Sequence, residues 1–270
     1  MPVPRILHQI WMQGKDAVPQ KYAAARATWP EVQPGWDIRV WDEADLTALV
    51  VGTPWEVALR LCRRLIQRAD VLRCAVLEKH GGVYADMDMY ALKSLDPFLL
   101  EERIQVGETT FQGVPLVHRV MRLNNGIIFC PPALSFWKRD FLPALILRLQ
   151  THTLLDDLSP AWNTIRTTGP GLWSSFYKHP SVLGHPMHYF YALGIGKQQT
   201  STKLTTDQMS RMGTSFVYHM QDSAWLDSWE FFLVKSFIHK NWIITVSVLG
   251  GLLVLSLLLR LRMFPVKALA

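Results

Sequence analysis

The chain has 270 residues, 49% of them apolar, and 28 Lys and Arg against 22 Asp and Glu, for a net charge of +6. That length and apolar content support one sizeable domain with room for an appendage. The charge is moderate and no dense basic run with interleaved aromatics occurs, which argues against a nucleic-acid binder, and the three cysteines (Cys62, Cys74, Cys130) have neither zinc spacing nor a disulfide framework.

Residues 5–11 read as a buried first strand that ends at Trp11, followed by Gln13-Gly14. Residues 1–30 have no continuous apolar region and carry His8, Lys15, Asp16 and Lys21, so no secretory signal is expected there. Tyr22 to Trp29 reads as a short helix, and Pro34-Gly35-Trp36 as a turn. Residues 37–41 alternate polar and apolar like a second strand. Helices are expected over 42–50, 54–67 and 68–80, the last with apolar residues at 69, 72, 76 and 77 and a stop at Gly81. A short strand then leads into Asp86-Met87-Asp88. Beyond it, Asp96-Pro97 marks a turn, 104–110 and 126–130 have strand character, and 136–150 reads as a helix. From Thr151 to Gln221 periodicity is weak and Gly, Pro, His and Ser are common, which predicts a loop-rich region that meets the acceptor of any reaction.

The centre of the chain carries the chemistry. In extended backbone, residues i and i+2 point the same way, so Asp86 and Asp88 are expected to face one point while Met87 turns into the core. Two converging carboxylates suit a hard divalent cation with open positions for phosphate oxygens. A bare Asp-x-Asp is common, and its bland reading is a solvated turn; the surroundings carry the weight. Asp70 and Arg73 lie one turn apart on the preceding helix. They read either as a surface ion pair or as a pair that binds ligand hydroxyls. Trp11 is either a core residue or a base-stacking one, since ligands of open α/β sheets gather beyond the carboxyl ends of strands. His8 reads as structural.

The blocks Ala69-Asp70-x-x-Arg73 and Gly81-Gly82-x-Tyr84-x-Asp86-x-Asp88 together resemble family 32 of the glycosyltransferases. The resemblance extends to Ile6-Leu7-His8-Gln9-Ile10-Trp11, Pro34-Gly35-Trp36 with Trp41, Asn124-Asn125-Gly126, Thr168-Gly169-Pro170, and His219 with Ser223-x-Trp225, in the family's order over roughly residues 3–230. It implies an α/β nucleotide-sugar-binding fold of the glycosyltransferase A type. It also implies transfer of a hexose, mannose foremost, from a nucleoside diphosphate sugar (GDP-mannose or UDP-hexose), with retention of configuration and with Mn2+ or Mg2+. Asp88 then holds the metal directly, Asp86 leans toward the sugar and ribose, and His219 completes the metal shell. Trp11 stacks on the base. One of Asn124 and Asn125 lies near the sugar, Tyr84 packs under the site or touches the donor, Thr168-Gly169-Pro170 lays a backbone loop against the site, and Ser223 and Trp225 cover the diphosphate. No residue is assigned as a carboxylate nucleophile.

The end of the chain differs from the rest. Trp242 to Leu259 is uncharged, with Lys235, His239 and Lys240 before it and Arg260, Arg262 and Lys267 after it. It just reaches spanning length and is expected to be a single C-terminal transmembrane helix, the alternative being a buried helix. The expected layout is a catalytic domain over 1–230, a juxtamembrane connection over 231–241, the span over 242–259 and a basic tail over 260–270. Similar positive charge on both sides leaves the sidedness open. A helix in the membrane favours a lipid or glycan acceptor there, such as inositol phosphorylceramide. The rivals are a toxin-like transferase acting on proteins, a haloacid-dehalogenase-type phosphatase, and a tail-anchored adaptor without activity. The glycine pair before Asp86 and Tyr90 after Asp88 disfavour the phosphatase, and intact Asp70, Arg73, Asp86 and Asp88 disfavour the adaptor.

Overall fold

A glycine pair at the end of one long helix sets the geometry of the middle of the chain. The computed structural model of the protein describes residues 1–109, 122–151, 153, 156, 159–191 and 213–220. The described elements lie in the first of two units, Met1–Trp225, and the second, Leu226–Ala270, is wholly outside the described residues.

In chain order these elements begin with β1 (Ile6–Ile10), α1 (Ala23–Val32), β2 (Asp37–Trp41), α2 (Glu43–Val50), α3 (Pro54–Leu61), α4 (Leu65–His80), β3 (Gly82–Ala85) and β4 (Met89–Ala91). They continue with β5 (Ile104–Glu108), β6 (Leu123–Cys130), α5 (Leu142–Gln150) behind a π turn at Trp137–Phe141, α6 (Pro160–Thr167), α7 (Pro170–Ser174), β7 (Val182–His185), α8 (Met187–Phe190) and β8 (Val217–His219). Six strands form one sheet in the order β2-β1-β3-β6-β5-β7. β1 runs parallel to β2 and β3, β6 runs antiparallel to β3 and β5, and β7 runs parallel to β5. β4 and β8 form a separate antiparallel ribbon with Met89 opposite His219.

The sheet is covered on both faces, and strand alternation sorts its side chains. Tyr84, Ile128 and Cys130 face a core with Leu72 and Val76 of α4, Trp137 and Trp173. Val83, Ala85, Ile127 and Phe129 face the other core, with Leu7, Trp29, Phe98 and Phe190. The helix signals are local. Asp42 caps α2 by accepting from the Asp45 N–H at 3.0 Å, and Pro54 opens α3. Gln67 Oε1 accepts from the backbone N–H groups of Arg63 and Arg64 and fixes the start of α4. α4 ends at Gly81, at φ 63°, and Gly82 follows at φ 95°. A Cβ at Gly82 would stand 2.6 Å from the Ile6 carbonyl oxygen, so β3 can lie against β1 only with glycine there.

Several expectations are corrected. The helix expected over 54–67 is broken at Cys62–Arg64, so Cys62 lies outside any helix and Leu65–Gln67 open α4. α4 is buried on almost every side between Gln67 and Leu77, not along one stripe. The strand expected over 126–130 begins earlier, at Leu123, so residues 124 and 125 lie within β6. The region from Thr151 holds three helices, the edge strand β7 and the ribbon strand β8 among its described residues, since burial overrides weak local pattern. Among the described residues no helix is long and apolar enough to cross a membrane, and the stretch 242–259 lies outside them.

Candidate active site

The site forms at the carboxyl edge of β3. Asp86-Met87-Asp88 is a tight turn from β3 into β4, not extended backbone as the spacing suggests. The turn itself makes the carboxylates converge. The Met89 N–H donates to the Asp86 carbonyl at 3.2 Å, the Asp86 N–H donates to the Gly126 carbonyl at 2.8 Å, and the Met220 N–H donates to the Asp88 carbonyl at 3.0 Å. The turn is thereby tied to β6 on one side and to the end of β8 on the other. Met87 is buried. Gly126 is needed for this approach: a Cβ there would lie 2.9 Å from Asp86 Oδ2.

Asp86, Asp88 and His219 each present one ligand atom, and these atoms lie within 4.8 Å of one another. His219 Nε2 is 3.0 Å from Asp88 Oδ1 and 4.0 Å from Asp86 Oδ2. His219 reaches the turn because β8 pairs with β4 directly after Asp88. Asp86 Oδ1 is held from behind, accepting from the Tyr84 hydroxyl at 2.7 Å and from Arg73 Nη1 at 3.3 Å. That leaves Oδ2 toward His219.

Arg73 is the pivot of the inner half. It pairs with Asp70 at 2.9 Å, donates to the Asn125 carbonyl at 2.7 Å, and lies 4.3 Å over the Tyr84 ring. Asp70 accepts from the Asn125 amide at 2.9 Å and from the Thr168 hydroxyl at 2.7 Å. Both Asp70 and Arg73 have side chains only 5% exposed, so the pair is not the surface ion pair that is one reading of its spacing. Asn124 accepts from the Gly126 N–H at 2.8 Å and stays half-buried. Trp11, one residue past β1, shares the carboxyl edge with Asp86 because β1 and β3 are parallel neighbours. It is half-buried, its ring set edge-on to Tyr22 at 5.6 Å, and makes no described contact with the triad. Ser223 and Trp225 lie outside the described residues.

Thus Asp70, Arg73, Tyr84, Asp86, Asp88, Asn125 and His219 come together around one turn. The Thr168 side chain, not its backbone loop, is the part that reaches the network. Its signal was the Thr-Gly-Pro block. Tyr191, whose ring lies 5.7 Å from that of His219, had no sequence signal.

The electrostatics are one-sided. With His219 neutral, three carboxylates face one guanidinium. Burial pushes the Asp86 carboxyl above its usual range, and Asp88 adds to this against the pull of Arg73 and His219. For His219, burial pulls the pKa down, but the Asp88 and Asp86 charges outweigh it and the net direction is up. Two carboxylates and an imidazole fit a hard or borderline divalent cation such as Mn2+ or Mg2+. Neighbouring ligands of an ion bound at about 2.1 Å lie about 3 Å apart, which matches the Asp88–His219 separation.

Comparison with known proteins covers part of this site: the region matched includes Asp70, Arg73, Tyr84, Asp86 and Asp88, and ends before Asn125, Thr168 and His219. Residues 19–105 match the family model described as the glycosyltransferase sugar-binding region containing DXD motif. An uncharacterized glycosyltransferase of Acanthamoeba polyphaga mimivirus is 32% identical over 100 residues, covering 36% of this chain and 40% of that protein. Inositol phosphoceramide mannosyltransferase 3 of Schizosaccharomyces pombe is 31% identical over 99 residues, covering 36% of this chain and 27% of its own length. Inositol phosphoceramide mannosyltransferase 2 of the same yeast is 26% identical over 196 residues, covering 67% and 52%. The chain thus spans about half or less of the length of these relatives. Among solved structures, the PaToxG glycosyltransferase superposes with a TM-score of 0.48 at 14% identity, over 80% of this chain and 89% of that one.

Proposed function

The chain carries the glycosyltransferase sugar-binding region containing the DXD motif, and from that premise we propose that it moves a hexose, mannose foremost, from a nucleoside diphosphate sugar to a hydroxyl of a membrane-held acceptor such as inositol phosphorylceramide. One observation carries the reading: Asp86, Asp88 and His219 converge at the carboxyl edge of β3, the two aspartates within the matched residues 19–105 and His219 on the strand paired with β4.

The residues divide the work. Asp88 and His219 would hold Mn2+ or Mg2+, with Asp86 Oδ2 as the third donor. When bound, such an ion neutralises charge on the departing diphosphate. Tyr84 and Arg73 fix Asp86 in one rotamer, so its free oxygen needs no reorganisation when donor arrives. Arg73 also brings a fixed full positive charge to this cluster. Trp11, on the same edge, would give a nucleobase an aromatic ring to stack upon. Orientation of the acceptor hydroxyl supplies the rest of the rate gain.

The donor and acceptor rest on chemistry borrowed from the relatives, two of which carry inositol phosphoceramide mannosyltransferase as their name. The uncharged run from Trp242 to Leu259 supports a lipid-borne acceptor. The test is direct. Purified chain is incubated with Mn2+, labelled GDP-mannose and vesicles containing inositol phosphorylceramide. Label is expected in the lipid, and its transfer is expected to stop with a chelator. Label on protein alone would replace the acceptor with a polypeptide, and transfer from UDP-hexoses alone would replace the donor. A thermal-shift panel of UDP- and GDP-sugars with Mn2+ gives an independent reading, since a true donor raises the melting temperature by binding the folded state.

A further inference from the structure

Two buried polar atoms beside the triad have no hydrogen-bond partner among the described residues: Nδ1 of His219 and the hydroxyl of Tyr191. They sit on rings in contact, with centroids 5.7 Å apart and planes at 57°. Tyr191 is 1% exposed. It follows α8, where its N–H donates to the Met187 carbonyl at 2.8 Å.

The fold makes a slot for this phenol. A Cβ at Gly107 would overlap the Tyr191 ring, and the β5–β6 register shifts between Val106 and Gly107. The hydroxyl lies near the backbone of Ile127 and Gly126 without hydrogen-bond geometry to either. A buried hydroxyl left unpaired costs about 1–3 kcal/mol. Phenylalanine would fill the slot without that cost, so the oxygen calls for a role.

The tautomer of His219 supplies one. An imidazole that binds a cation through Nε2 carries its proton on Nδ1, and metal-binding histidines almost always donate that proton to a fixed acceptor. The phenol oxygen on the contacting ring is such an acceptor. We propose that Tyr191 is the positioning residue for His219: its ring braces the imidazole, and its hydroxyl, directly or through one water, accepts the Nδ1 hydrogen bond once Nε2 engages a divalent cation. The inference rests on the metal role given to His219 above.

The test measures Mn2+ binding to the purified full chain by electron paramagnetic resonance, together with the melting temperature of the metal-free protein. Tyr191→Phe is expected to weaken Mn2+ binding by about tenfold. The same change should leave the metal-free melting temperature unchanged or raised, because it removes an unpaired buried hydroxyl. A packing role alone would show the reverse pattern. His219→Ala should also weaken Mn2+ binding, and adding Tyr191→Phe to it should produce no further loss. Equal losses from Tyr191→Phe in both backgrounds would mean that the phenol acts elsewhere and would overturn the proposal. An unchanged Mn2+ affinity in Tyr191→Phe, with His219→Ala impaired, sinks the role of Tyr191 alone. An unchanged affinity in His219→Ala removes the metal role of His219, and this inference with it.

Discussion

The two halves of the site are built on opposite plans. On the inner half, Asp70 meets Arg73, Asn125 and Thr168, and Arg73 spends its donors on Asp70, Asp86 and a backbone carbonyl. That half is dry and nearly balanced in charge. On the outer half, Asp86 Oδ2, Asp88 Oδ1 and His219 Nε2 gather with a surplus of negative charge, and the Asp86 side chain is 28% exposed. The contrast separates structure from ligand chemistry. The inner half holds a guanidinium in place, and any sugar hydroxyl approaching Asp70 must compete with three protein donors. The outer half presents donor atoms that protein alone does not neutralise.

Breaking the outer half should abolish turnover without unfolding the protein. Asp88→Asn removes a full charge from the convergence point, and sugar transfer should fall by roughly 10^3-fold, the upper range for losing one electrostatic contact in a catalytic centre. Its melting temperature should stay within a few degrees of the parent, because the change also relieves crowding with Asp86. Breaking the inner half should do the opposite first. Arg73→Ala strands Asp70 as an unpaired buried charge, which costs about 3–5 kcal/mol of stability in chemical denaturation. Replacing both partners, Asp70→Asn with Arg73→Met, should recover much of that loss while activity stays low. If Asp88→Asn destabilised the fold and Arg73→Ala did not, the division between the halves would be wrong.

Much of this division was written in the chain, though not its geometry. The pattern of β2 and of the helix ending at Gly81 was legible because each rests on a local signal: polar–apolar alternation over 37–41, and a glycine that tolerates φ above zero. Asp70, Arg73, Asp86, Asp88 and His219 stood out as residue types. What could not be read was how they meet. The spacing of Asp86 and Asp88 suggested one face of a strand, whereas a turn held by Gly126 and Met220 brings them together. The buried state of Asp70 depends on Thr168, 98 positions away in the chain, and on Asn125. Tyr191 left no trace at all, because its slot is made by a missing Cβ at Gly107 on a distant strand.

The support beneath β3 offers a subtler test. His8 is fully buried; its Nδ1 accepts from the Trp41 indole N–H at 3.1 Å, so its Nε2 carries the proton and donates to the Gly81 carbonyl at 2.9 Å. Burial lowers its pKa from 6.5 to about 4, with His80 and Arg39 pushing the same way and the Gly81 bond and Asp37 opposing. The unfolded chain then binds the proton more readily than the folded one between those values. Stability from this group is complete above about pH 6.5 and is lost as the pH falls toward 4, by about 3 kcal/mol in all. His8→Gln should flatten that part of the stability-versus-pH curve. The site itself should feel the change only through Gly81.

Thr168 gives the smallest effect and the finest discrimination between the two halves. Its hydroxyl donates to Asp70 at 2.7 Å inside the dry half. Thr168→Val keeps the shape and leaves one buried carboxylate oxygen short of a donor, at a cost of about 2 kcal/mol, the middle of the range for a hydrogen bond to a charged group. Thr168→Ser keeps the donor and should cost less than about 1 kcal/mol, for the lost methyl alone. Because Arg73 remains paired with Asp70, the position of Asp86 should be preserved, and Mn2+ affinity should stay within twofold of the parent in both variants. A loss of Mn2+ affinity that tracks the loss of stability from Ser to Val would mean that the inner ion pair transmits strain through Arg73 to the outer carboxylates, and the two halves would have to be treated as one mechanical unit.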